Sequence, residues 1–401
     1  MAFNANGYFY TSYNPSELNM DSFAQTILKL WPNGSAPIFA LTGDASKTQA
    51  KASTHGYFTK TMTFGSVTVD DATDLNSTDT TLVCDATTGM VAGMVLQVPA
   101  TRENIRVVSV DSATQLTISR SFGRVAAGNI LDNAILFAVG NAHAESSDRP
   151  TARSISPVYV PNYTSIIRNA WALSGTAKAS YAEAGYSNVA ESRADCMNLH
   201  SIDIESTLLW GQAEAPAGSP PIHATQGIID AVYEHASGNV GTAGSTTTYD
   251  QLVTLVESAF ANQTSLGNNT DRVAFCDSTA AKVLTGIGVL FGQINIERKE
   301  TTFGMKYREF ELYRGNIKFM LHPLLDGLTR SADGLMVVCD LPSMKLAYMD
   351  GRDVLSEDYN GASDGTNSGV DAEGGSLLTE FATEFMNPGG CAVINGLTAA
   401  A

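Results

Sequence analysis

The residues that could do chemistry are few, and each meets an objection in its own surroundings. Gly361-Ala362-Ser363-Asp364-Gly365 matches the Gly-x-Ser-x-Gly pattern of serine hydrolases. That pattern exposes a nucleophile only on a tight strand-to-helix elbow. Here it sits in a polar stretch with no strand pattern before it and no helix pattern after it. Asp364 to Gly369 reads Asp-x-Thr-x-Ser-Gly, the front of a calcium loop, but Gly375 stands at the twelfth position. A bidentate Glu is required there, so a solvated acidic loop is the better reading. Lys47-Thr48 echoes a phosphate loop, with Ser46 in place of the glycine before the lysine. Gly286-Ile287-Gly288 is followed by Gly292, one residue late for a dinucleotide fingerprint, and reads instead as a helix end and turn.

The histidines, His55, His143, His200, His223, His235 and His322, show no metal-ligand spacing. His200 falls in a long helical stretch, where a packing role with satisfied nitrogens is expected. Arg298, Lys299, Lys306, Arg308, Arg314 and Lys318 are interleaved with Glu297, Glu300, Glu309 and Glu311. That mixture predicts cross-strand ion pairs or a subunit contact, not a nucleic-acid patch. The sequence thus offers no catalytic, cofactor-binding or metal-binding residue, and the chain is expected not to be an enzyme.

The stretch best able to position other parts is 186–211, YSNVAESRADCMNLHSIDIESTLLWG. Asn188 and Glu191 suggest a capping box, and Gly211 suggests a left-handed stop. About 22 residues at ~1.5 Å each give a rod of about 33 Å. Val189, Met197, Ile204 and Leu208 form one stripe, with Ile202 and Leu209 off it. A helix apolar on more than one side is packed on more than one side, so it reads as a spine.

Around it the chain is long and acidic: 401 residues with a net charge of −17. Specific DNA binding needs a basic face, so it is not expected, although an acidic surface can face DNA and repel it. Cys84, Cys196, Cys276, Cys339 and Cys391 are scattered and odd in number, which fits buried thiols made in a reducing cytoplasm. The opening residues lack the pattern of a signal peptide, and no apolar run approaches the ~20 residues that span a bilayer.

In order, a helix is expected over about Glu17 to Leu30 in an irregular arm, 1–56. Residues 57–69 read as a strand. Five or so short strands follow within 70–145, TLVCDA, MVLQVP, NIRVVSV, QLTISRSF and AILFAV, suiting a small barrel or sandwich. Residues 57–65 and 155–180 are expected to be two legs of one hairpin around it. EAPAGSPP, 214–221, reads as a linker. From 222 to 349 helices and strands alternate, among them a helix capped by Thr248 and Gln251, a buried strand RVAFCD and a helix from Asp277 or Ser278. A strand meander follows, NIERKETTF, YREFELYR and NIKFMLHP, and then LMVVCDL and MKLAYMD. Residues 350–376 read as a loop, and the chain closes on a strand with Leu377, Phe381 and Phe385 on one face and Glu380, Ala382 and Glu384 on the other.

This order of parts resembles the major capsid protein of tailed double-stranded-DNA bacteriophages, an α+β fold of the Hong Kong-97 type, in the branch with a β-rich insertion in the extended loop. The resemblance is carried by APIFALTGDASKTQAKASTHGYF at 36–58, NIRVVSVDSATQLTISRSFG at 104–123 and SIIRNAWALSGTA at 165–177. It continues through ESRADCMNLHSIDIESTLLWG at 191–211, CDLPSMKLAYMDGRDV at 339–354 and TEFATEFMNPGGCAVINGL at 379–397. It implies an N-terminal arm at 1–56 and an extended loop at 57–185 carrying the β-module. It further implies a peripheral domain at 186–221 with 350–401 and an axial domain at 222–349. Hexamers and pentamers of the chain would close an icosahedral head around double-stranded DNA, with a scaffolding protein, a portal and cement proteins as implied partners. The location implied is the virion, after synthesis in the host cytoplasm. Some members cross-link a loop lysine to an asparagine; Lys60 is the nearest candidate, but no catalytic carboxylate is identified beside it. Two other classes stay open: a tail, fibre or adhesion component built on the β-module, which predicts fibres or tubes, and a hydrolase using Ser363, which predicts an activity abolished by Ser363→Ala.

Overall fold

The computed structural model describes residues 47–60, 65–71, 73–179, 188–244, 247–261, 270–291, 294–300, 306–325, 334–360 and 371–398. The helix expected over Glu17 to Leu30 lies outside these residues, as do the serine-hydrolase-like and calcium-like stretches within 361–370. The chain divides into two units. Phe58–Tyr159 is one, and the described residues up to Tyr57 and from Val160 onward are the other.

In the smaller unit the five expected strands occur at Thr81–Val83, Met94–Gln97, Asn104–Val110, Gln115–Ser119 and Ile135–Asn141, and Ser66–Thr68 adds a sixth. The sheet runs from Ser66–Thr68 through Ile135–Asn141, Met94–Gln97, Asn104–Val110 and Gln115–Ser119 to Thr81–Val83. Its two end strands meet through an antiparallel bridge, Val69 to Cys84. Asp70 N donates to Val83 O and Asp85 N to Thr68 O, each at 3.1 Å, so the sheet closes on itself as a small barrel. Alternate residues fill it: Val67, Leu82, Leu96, Ile105, Val107, Leu116, Ile118 and Leu136 are all buried. Closure removes the free strand edges through which a lone sheet would aggregate.

Glu103 fastens the loops at one end of the barrel. Its buried carboxylate accepts from Arg120 Nε and Nη2, each at 2.8 Å, from Ser121 N at 3.0 Å and from Gly128 N at 3.2 Å. Burial opposes its ionisation, but these donors outweigh burial and hold its pKa below the ordinary value.

The larger unit has two main sheets. Seven strands run in the order Val240–Thr242, Ala392–Asn395, Met336–Cys339, Asp271–Cys276, Gly315–Leu321, Lys306–Leu312, Ile294–Glu300. Ala274, Cys276, Met336, Val338, Ala392 and Ile394 face one core, with Leu252 and Val256 of helix Tyr249–Glu257 and Val283, Leu284 and Ile287 of helix Ser278–Phe291. Phe275, Val337, Cys339 and Val393 face the other, with Ile204, Leu208 and Leu209 of the spine helix. The sheet is covered on both faces, which explains its continuous apolar runs. The second sheet holds Thr48–Ala50, Met344–Met349, Leu355–Asn360, Ser165–Ser174 and, at its middle, Ala372–Phe385.

The helix at Tyr249–Glu257 carries the expected Thr248–Gln251 capping box, and Asp277 caps Ser278–Phe291 by accepting from Ala280 N at 2.5 Å. The spine helix spans Asn188–Trp210; the residue before it lies outside the described set, so the expected capping box is not described. Its buried side is Cys196, His200, Ile204, Leu208 and Leu209, a run at helical spacing, while Met197 and Leu199 are exposed.

Several expectations are corrected. Gly211 ends the spine helix without a left-handed backbone; a Cβ there would stand 2.6 Å from both Thr207 O and Thr225 O, so close chain approach requires the glycine. The two expected legs, 57–65 and 155–180, pair with each other over a short stretch, Tyr57–Thr59 with Val158–Val160, among the described residues; the rest of the second leg departs from the expectation, since Ser165–Ser174 runs antiparallel to Ala372–Phe385. An apolar alternating strand states that it needs partners, not which ones. The linker 214–221 is part of a two-stranded hairpin, Glu214–Ala217 with Ile222–Ala224, whose Gly and Pro sit at the turn. Gly286 and Gly288 lie inside a helix that continues to Phe291, because Val283, Leu284 and Ile287 bury its face. The loop 350–376 contains the strand Leu355–Asn360 and the start of Ala372–Phe385. Their polar residues hid a strand pairing that is made by backbone atoms. Met344–Met349 joins the sheet centred on Ala372–Phe385, and Ala392–Asn395 joins the seven-stranded sheet.

Candidate functional site

The strand Ala372–Phe385 gathers the most remote parts of the chain. Ser165–Ser174 pairs along one edge; Leu355–Asn360 and then Met344–Met349 pair along the other. One face carries Leu377, Thr379, Phe381, Thr383 and Phe385, as expected. The opposite face carries Glu380, Ala382 and Glu384, as the alternation implies. It is buried too, with Glu380 and Glu384 each 5 % exposed, because residues 47–57 and 164 cover it.

On the first face His200 of the spine helix lies 2.8 Å from Thr379 Oγ1 through Nε2 and 2.7 Å from Asn169 Oδ1 through Nδ1. Asn169 Nδ2 donates to Asp203 Oδ2 at 2.8 Å, so its Oδ1 is the acceptor for His200. The proton therefore sits on Nδ1, and Nε2 accepts from the Thr379 hydroxyl. Burial lowers the His200 pKa, with Asp203 acting in the other direction, so the neutral ring is favoured. Further along, Thr383 N donates to Thr225 Oγ1 at 3.0 Å, Thr383 Oγ1 to Gln226 O at 2.5 Å, and Asn162 Nδ2 to Thr383 O at 2.7 Å.

On the second face Glu384 accepts from Thr48 Oγ1 at 2.7 Å and lies 2.8 Å from His55 Nε2. Glu380 accepts from Thr164 Oγ1 at 3.0 Å, and Arg352 Nε is 2.6 Å from its other oxygen. Between them Ala382 packs on Ala50 and Ala347. The sequence shows Glu380 and Glu384 only as the polar half of an alternating strand; their partners lie up to 336 residues away.

The remaining singled-out residues also serve the frame. Lys47 pairs with Asp353 at 3.0 Å and stands over the Tyr348 ring, and Thr48 begins a strand, so neither belongs to a phosphate loop. His322 is buried against Glu205, and His143 packs over Gly93. His223 contacts Thr164, and His235 lies 3.9 Å from Glu234. In the basic cluster, Glu309 stands opposite Lys318 and Glu300 opposite Lys306 in register, Lys318 bonds Asp271 at 2.9 Å and Arg314 pairs with Glu257 at 2.8 Å. Lys60 is exposed. All five cysteines are buried and free, and burial raises their pKa values, that of Cys391 to about 11. Among the described residues no group of three or more His, Cys, Asp or Glu could hold a metal ion.

These polar groups bind segments of the chain to one another. They tie the frame of the larger unit together. The chain belongs to the SU10 major capsid protein family, whose family model matches residues 4–398. It is 47% identical over 405 residues to the major capsid protein of Pseudomonas phage PaMx41, covering 98% of this chain and 96% of that one. Among solved structures, a chain of Microbacterium phage Oxtober96 has a TM-score of 0.49 at 12% identity, covering 95% of this chain and 97% of that one. A chain from the capsid of a native GTA particle has a TM-score of 0.48 at 9% identity, covering 100% of both. The protein is thus a phage coat protein and a component of the virion, and its partners in the shell are copies of itself.

Proposed function

We propose that the chain assembles as hexamers and pentamers into an icosahedral head of the Hong Kong-97 type that encloses double-stranded DNA. The match to a major-capsid family over residues 4–398 carries this reading. In it, residues 1–56 are the N-terminal arm, 57–185 the extended loop, 186–221 with 350–401 the peripheral domain and 222–349 the axial domain. The closed barrel within Phe58–Tyr159 is the module inserted in that loop. The net charge of −17 suits a wall that contains DNA without gripping it. Scaffolding and portal proteins act in assembly, cement proteins on the finished shell, and synthesis takes place in the host cytoplasm. The polar clamp on Ala372–Phe385 supports a structural role, since its carboxylates and histidines are engaged within the subunit.

The test is to express the chain alone and with its scaffolding protein, and to image the products. Closed shells with fivefold vertices are expected. Monomers only, or tubes, under conditions in which the coat of phage PaMx41 forms shells would overturn the reading.

A further inference from the structure

We propose that the outer face of strand Ile135–Asn141 is a contact between two copies of this chain, made row against row across a twofold axis; the proposal rests on the shell-forming reading above. Along this strand Leu136 points into the barrel and is fully buried, while Ile135, Phe137 and Val139 point out and are 59%, 41% and 56% exposed. Three large apolar side chains in a row on one strand face are not the scattered exposure that any surface shows.

The flanks explain why the partner is a second copy. In register beside the row stand Ser66 and Thr68 on one neighbouring strand and Gln97 on the other. Gln97 Nε2 is in turn bonded to Asn104 Oδ1 at 3.0 Å. These positions carry no charge, in a chain whose net charge is −17. Two such chains repel over most of their surface, and an uncharged apolar row is where they approach at least cost.

The bonded charged groups at the two ends of the row differ, aspartates at one and arginines at the other. At the Ile135 end, Asp132 Oδ1 accepts from Asp71 N and Asp74 Oδ1 accepts from Asp132 N, each at 3.2 Å, which brings three aspartates together. At the Asn141 end, Arg106 Nε donates to Ala142 O at 3.0 Å, and Arg153 lies against Met94, the register partner of Asn141. Laid antiparallel on its own copy, the row sets the acidic end of each subunit beside the basic end of the other. Self-complementarity of this kind is the signature of an isologous contact, and it places Phe137, the middle residue, against itself.

Cysteine variants test this in assembled shells, where the five native cysteines are buried and free. In Phe137→Cys shells, mild oxidation is expected to convert most of the protein into covalent dimers, whereas Val108→Cys shells, altered at another exposed barrel position, stay monomeric. Ile135→Cys and Val139→Cys subunits are expected to cross-link when co-assembled, and neither alone. Unassembled Phe137→Cys subunits should react fully with a maleimide at the introduced thiol. If that thiol is already protected before assembly, its own chain covers the row and the proposal fails. If it stays reactive in shells, or is protected there without cross-linking, the twofold row contact is wrong. If Phe137→Cys does not assemble, the Ile135→Cys and Val139→Cys mixture decides by the same criterion. If the wild-type chain forms no shells at all, the functional reading fails instead, and the two failures are distinct.

Discussion

Glu205 of the spine helix accepts a hydrogen bond from His322 Nε2 at 2.7 Å, and both side chains are fully buried. Leu324 N donates to His322 Nδ1 at 3.1 Å, so Nε2 must carry the proton that Glu205 receives. The ring also stands edge-on to Phe275, with centroids 5.6 Å apart. One contact thereby fastens the spine helix to the seven-stranded sheet. Removing one partner of a buried hydrogen bond typically costs about 1–3 kcal/mol, because the other is left unsatisfied. Glu205→Ala should lower stability by that amount, and Glu205→Gln, which keeps an acceptor, by less. Denaturant unfolding of unassembled subunits measures both; equal midpoints for Glu205→Ala and wild type would contradict the assignment.

The barrel depends on Glu103 in the same way. Glu103→Ala leaves Arg120 buried and opens the loop that carries Ser121 and Gly128. A loss of about 3 kcal/mol is expected, on the scale of other broken buried pairs. Limited proteolysis should show new cleavage confined to residues 120–128; a cleavage pattern identical to that of wild type would refute the clamp.

Acid should weaken the fold in two stages. The folded pKa of His200 is lowered by burial, so the unfolded chain binds the proton more readily and stability falls as pH drops below about 6.5. The folded pKa of Glu103 lies below the ordinary value, so its contribution is present above the unfolded carboxylate pKa of about 4.3 and is lost as pH falls through the folded value. Melting temperatures measured from pH 7 down to pH 3 should fall throughout. His200→Gln should flatten the upper part of that profile and Glu103→Gln the lower part.

Two glycine substitutions should have opposite signs. A Cβ on Gly227 would stand 2.7 Å from Gly211 N and 2.9 Å from Leu209 O, backbone atoms that cannot turn aside. Gly227→Ala is expected to cost about 1–3 kcal/mol, as overpacking does. Gly286 lies in a helix, and a Cβ there meets nothing within 4 Å. Gly286→Ala should stabilise by about 0.5–1 kcal/mol through the unfolded chain. Thermal unfolding of the two variants gives the comparison directly.

Local chemistry was legible in the sequence. The Thr248–Gln251 cap, the alternation of Gln115–Ser119 and Asn104–Val110 and the uninterrupted helix Asn188–Trp210 follow from rules that reach a few residues along the chain.

Pairing was not legible. Ser165–Ser174 could have joined any strand of its pattern, and Leu355–Asn360 looked like a loop because its polar side chains say nothing of backbone bonds. Alternation put Glu380 and Glu384 on one face of a strand but could not tell that a second layer, brought by Thr48, His55 and Thr164, closes over them. The sequence by itself determined caps, strand alternation and the uninterrupted spine helix, since these depend on neighbours in the chain. Only the tertiary structure decided which faces are buried and which carboxylates are clamped, since those depend on segments hundreds of residues apart being brought within hydrogen-bond reach.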